Sequence, residues 1–199
     1  MKKLLLAFVI LAYACMFYNR DQDGLEALAS GTVQIEESVT LNSAPADMSL
    51  YGLDSSANFE SVSLAESIRI FKENSSGIVF YAKPDSAECR IAAEVLQEAA
   101  QELNVKVYVV NTSDSVSAED LSTLTTYIDS TLYVDQAGNK SFFVPDLIAV
   151  NNGVITGYHT STVKGIAVSS NENIVLSDDQ KKELKKYYLE VIHSITKAA

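Results

Sequence analysis

Thiols are the groups in this chain best suited to covalent chemistry, and there are two of them, Cys15 and Cys89. The spacing around Cys89 predicts the start of a helix, where unpaired backbone N–H groups favour an anion and lower a thiol pKa. There Cys89 would be a nucleophile toward disulfides. Packed beneath the same helix start, it would be a small, inert apolar residue. The residues alone leave both readings open. The two histidines, His159 and His193, have no partner at metal-ligand spacing, so no metal site is expected. His159 could form a thiolate pair with Cys89 only if the fold brought the two together. The chain has no glycine-rich phosphate loop and no G-x-S-x-G elbow, and no cofactor is implied.

The elements that must position Cys89 lie between residues 77 and 103. Gly77 opens the apolar run Ile78-Val79-Phe80-Tyr81-Ala82, whose β-branched and aromatic residues predict a central strand. Pro84 ends it, having no N–H for the ladder. Asp85 or Ser86 can then cap a helix, with Glu88 facing the positive end of its dipole. Ile91, Ala92, Val95, Leu96, Ala99 and Leu103 form one apolar stripe at helical period, fit to lie on a sheet. Upstream, Phe59–Val62 is a short strand, and Ser63-x-x-Glu66 is a capping box opening a helix that ends near Asn74. Downstream, residues 105–110 form a second strong strand, giving β-α-β-α-β and hence a parallel sheet with crossover helices. A helix is predicted over 117–128, a short strand over 131–134 and a turn over 135–139. Two strands, 142–150 and 154–158, flank Asn151-Asn152-Gly153, a hairpin signal. A second capping box, Ser177-x-x-Gln180, opens the last helix.

Two segments carry a family resemblance. Pro84-Asp85-Ser86-Ala87-Glu88-Cys89-Arg90 resembles the P-x-C-P-x-C-R redox segment of the thioredoxin-like superfamily. Cys89 falls on the second cysteine of that C-x-x-C motif, and Ser86 stands where the nucleophilic first cysteine would be. Val144-Pro145, followed by an apolar strand and Asn152-Gly153, resembles the superfamily's cis-proline strand. The resemblance covers residues 57–197. It implies an α/β thioredoxin-like fold: a central mixed sheet flanked by helices, with an insertion over 111–141 ahead of the cis-Pro strand. It also implies that Val144 offers its backbone to an extended peptide and that Pro145 packs opposite the Cys89 helix start. More narrowly, the chain is similar to bacterial thioredoxin-like lipoproteins and bacteriocin-transport accessory proteins. With one thiol of the pair replaced, the resemblance implies a binding or accessory module that has lost dithiol exchange. The alternative is a monothiol protein forming mixed disulfides through Cys89.

The remaining sequence suggests where such a domain would work. Met1-Lys2-Lys3 followed by the apolar run to Cys15 has the form of an export signal. Ala12-Tyr13-Ala14 fits a small-x-small cleavage site, and Cys15 after it resembles a lipidation site. An uncleaved anchor to about Tyr18 would be short against the ~20 residues of a spanning helix. Residues 1–18 are thus expected to be a signal or anchor placing the rest on the outer face of the cytoplasmic membrane. Residues 19–56, rich in Ser, Ala, Asp, Glu and Gly, are expected to be a flexible linker. The formal net charge of −11 argues against nucleic acid as a partner. The partners expected are an extended peptide or partner protein, with the membrane reached through the N-terminus.

Overall fold

The computed structural model describes residues 24–31, 33–55, 57–164 and 174–196. Its centre is β3 (Gly77–Ala82), every residue of which is buried. Around it lie β1 (Ala44–Pro45), β2 (Phe59–Ser61), β4 (Val107–Asn111), β7 (Asp146–Asn151) and β8 (Val154–Thr160), in the order β1-β2-β4-β3-β7-β8. Strands β2, β4 and β3 are parallel, whereas β7 runs antiparallel to β3 and β8 antiparallel to β7. Successive side chains of a strand face opposite ways, so β3 divides the core in two. Ile78, Phe80 and Ala82 face α2 (Ala87–Leu103) and α4 (Asp178–Ser194). Val79 and Tyr81 face α1 (Leu64–Lys72) and α3 (Ala118–Tyr127). This is a mixed sheet flanked by helices, with residues 111–141 running from the end of β4 toward the proline strand, as the resemblance implies.

Local sequence fixes the element ends. Asn152 and Gly153, at φ 50° and 78°, form the two-residue turn between β7 and β8. A Cβ on Gly153 would stand 2.7 Å from the Phe71 carbonyl oxygen, so the turn also requires glycine for space. Ser177 and Gln180 complete both halves of the capping box on α4. On α1 only half of the expected box forms. Ser63 accepts from the Glu66 N–H, while the Glu66 carboxylate turns to Arg69 at 2.8 Å and the Asn42 N–H at 2.8 Å.

Three expectations need correcting. The strand predicted from Phe142 begins only at Asp146, because Pro145 has no N–H to give to a ladder. The predicted strand at 131–134 is shortened to β5 (Tyr133–Val134), which pairs with β6 (Lys140–Ser141) around the Asp135–Asn139 turn. Most importantly, residues 33–55 are not a flexible linker. β1 pairs with β2, and Val33, Leu41, Ala46, Met48 and Tyr51 are buried in the two halves of the core. Ser75 Oγ accepts from the Ser38 and Val39 N–H groups, and Lys106 pairs with Glu37 at 2.7 Å. Met48 and Tyr51 share one 3-10 turn, Met48–Tyr51, but Val33, Leu41 and Ala46 follow no helical or strand period and each fills a separate gap. Composition therefore reads the segment as linker.

Candidate functional site

Strand β3 ends at Ala82, and residues 83–86 carry the chain over the sheet edge into α2. Ser86 is the N-cap of α2, and its Oγ accepts from the Cys89 N–H at 3.3 Å. The hydroxyl therefore satisfies one of the unpaired N–H groups of the first turn. Cys89 sits one turn into the helix, fully buried in the apolar cluster that also holds Met48, Ala92 and Tyr188. Burial pushes its thiol up. Hydrogen bonding to the Lys83 backbone and the Ser86 hydroxyl opposes this, and the Glu88 and Asp85 charges add to the rise. Of the two readings, the inert apolar one fits this environment. A buried thiol in apolar surroundings is a poor nucleophile.

Opposite the helix start, the Val144-Pro145 peptide bond is cis, as the resemblance implies, and Pro145 is buried. Val144 is half-buried just ahead of β7 and packs on both halves of the core. Beside it runs a groove of about 630 Å³, lined by Glu88 of α2, Thr131 and Tyr133 of the insertion, Phe143 and Val144. Tyr158, His159, Thr160 and Ser161 form its other side. Ser86 and Cys89 are not among its lining residues. The fold thus brings Val144 and the α2 start to one groove while withdrawing the thiol from it. His159 is engaged elsewhere: its Nε2 lies 3.0 Å from the Thr162 carbonyl oxygen, and its ring stacks on Tyr187 at 4.7 Å. Burial lowers its pKa. His193 reaches the Leu28 carbonyl oxygen at 2.6 Å. Among the described residues no cluster of metal-ligating side chains forms, and no helix is long and apolar enough to cross a membrane. Cys15 lies outside the described residues.

Sequence reasoning missed two residues. Asp146, directly after the cis-proline, is 1% exposed, and its carboxylate accepts from Thr160 Oγ1 at 2.8 Å and Thr131 Oγ1 at 3.4 Å. Burial raises its pKa to about 7, against the two hydrogen bonds. An acid within the apolar run 142–150 was the available signal. Tyr51 packs from the N-terminal arm onto the α2 half of the core, near Cys89, and its buried hydroxyl has no hydrogen-bond partner among the described residues. No sequence signal marks it.

Neither a family model nor a curated protein matches the chain. Among solved structures, the chain is similar to thioredoxin O2 from Arabidopsis thaliana in the oxidised state. The identity is 17% and the TM-score 0.37, covering 53% of this chain and 84% of that one.

Proposed function

We propose that this chain is a binding or accessory module on a thioredoxin-like fold that does not carry out dithiol–disulfide exchange. The observation that carries this reading is the state of the helix start. Exchange needs an accessible thiolate to attack and a second thiol to resolve the mixed disulfide. Here the first position holds Ser86, spent as a helix cap, and the second holds a fully buried Cys89. What remains open to solvent is the groove beside Val144, and an extended peptide would lie along it by backbone pairing. The alternative, a monothiol acting through Cys89, would require the thiol to be exposed first. The module is tethered at the outer face of the cytoplasmic membrane through residues 1–18, either by lipid on Cys15 or by an uncleaved anchor. Support for the tether is the Met1–Lys3 basic start and the apolar run after it.

Alkylation of the native chain against pH tests the core of this reading. Cys89 should react slowly, with a midpoint above that of a free thiol, and the chain should not accelerate insulin reduction by dithiothreitol. Fast alkylation with a midpoint below about 7 would instead favour the monothiol. Metabolic labelling with an alkyne fatty acid, lost in Cys15→Ser, tests the lipid.

A further inference from the structure

The groove beside Val144 has a chemistry of its own, to which the inserted segment gives Thr131 and Tyr133. Three of its aromatic side chains stand well exposed: Tyr133 at 56%, Phe143 at 50% and Tyr158 at 45%. Tyr133 and Phe143 meet edge to face at 5.4 Å, so the insertion and the cis-proline approach form one wall. Tyr158 of β8 lines the same groove. Soluble domains seldom gather exposed aromatics at one place without a partner for them.

Beside the Ser161, Tyr133 and Tyr158 hydroxyls, which can donate or accept, the groove holds three groups that act as acceptors, Thr131, Thr160 and Glu88. Thr160 Oγ1 donates its proton inward to Asp146, and Thr131 Oγ1 donates inward to Asp146 or to the Ile128 carbonyl oxygen. A hydroxyl has one proton, so each threonine can offer the groove only lone pairs. Glu88 is the one Asp, Glu, Lys or Arg among the lining residues. The cations nearest it in sequence are engaged: Lys83 pairs with Asp85 at 3.4 Å, and Arg90 donates to the Pro84 carbonyl oxygen at 3.0 Å. Aromatic faces, lone pairs and a carboxylate with no ion-pair partner among the described residues together suit a donor-rich cation with an apolar stem or neighbour. The overall charge of −11 would steer such a ligand toward the chain.

We infer that the groove takes an extended segment of a partner protein in which an arginine or lysine stands next to an aromatic or aliphatic residue. The cation would meet Glu88 and the two threonines, and the apolar side chain would lie on Tyr133, Phe143 and Tyr158. This rests on the reading of the cis-proline groove as a peptide site.

The chain has no tryptophan, so the emission of a tryptophan-containing peptide reports binding directly. Capped nonapeptides of glycine and serine with a central Arg-Trp, Gln-Trp or Glu-Trp pair would be titrated with the full-length chain at low salt. Arg-Trp should bind at least tenfold more tightly than Glu-Trp. The gap should close in Glu88→Gln and in high salt, and Tyr158→Ala should weaken binding of all three peptides. Equal binding of the three, still weakened by Tyr158→Ala, would overturn the cationic preference and leave the peptide groove standing. Binding by none would overturn both. A concentration-dependent dimer of the chain that Tyr158→Ser dissociates would seat a second copy in the groove and overturn the inference.

Discussion

The Ser86 hydroxyl oxygen accepts a hydrogen bond from the Cys89 N–H, joining across one helical turn the two positions where a dithiol pair would stand. The serine caps the helix, and the cysteine is packed beneath it. Ser86→Ala should cost about 1 kcal/mol of stability, the usual value of a lost N-cap. Because the Ser86 hydroxyl also lowers the Cys89 pKa, the alkylation midpoint should rise in the same variant. Urea denaturation and pH-dependent alkylation read the two effects separately. Ser86→Asp should keep the cap.

Asp146 gives the fold a specific pH dependence. Its pKa is near 7 in the folded chain and about 3.9 when unfolded. Between those values the folded state holds a proton that the unfolded state has lost, so stability falls as pH rises from about 4 to about 7 and levels off above. The full effect is on the order of 4 kcal/mol. Asp146→Asn should abolish this slope and be more stable than the parent at pH 8, because the amide oxygen in place of Oδ1 still accepts from Thr160, and the amide NH2 in place of Oδ2 can donate to Thr131 Oγ1, whose own proton goes to the Ile128 carbonyl oxygen. Thermal melts of parent and variant from pH 4 to 8 measure the difference.

The N-terminal arm should matter to stability as a core element does. Met48 is buried against the α2 half of the core. Met48→Ala should therefore cost about 2–4 kcal/mol, seen as a lower urea midpoint. An unchanged midpoint would mean that the arm does not pack.

Tyr51 offers the opposite sign. Among the described residues its hydroxyl is buried without a hydrogen-bond partner, and an unsatisfied buried polar group costs about 1–3 kcal/mol. Tyr51→Phe keeps the ring and removes that cost, so the variant should melt higher than the parent.

Much of this fold was legible from local pattern. The all-apolar run of β3 and the helical stripe of α2 each state their environment within a few residues. So do the Asn152-Gly153 turn and the Ser177–Gln180 box. The resemblance at Pro84–Arg90 and Val144-Pro145 placed the helix start and the cis-proline correctly. The arm was illegible because, apart from the single turn that pairs Met48 with Tyr51, its buried residues repeat at no period and are selected by gaps that other segments create.

For the site, the sequence by itself determined which groups exist. It supplies one thiol near a helix start, a serine in place of its partner, and a proline opening a strand. Only the tertiary structure decided what those groups can do. The thiol's reactivity depends on burial, and the cluster that buries Cys89 brings up side chains far off in the chain, Tyr51 and Tyr188 among them. The groove likewise joins Glu88, Tyr133, Phe143 and Tyr158 from three separate segments. The inward turn of the Thr160 proton depends on a carboxylate 14 residues away. Distances of that kind are set by how sheet and helices pack, and no single stretch of sequence encodes them.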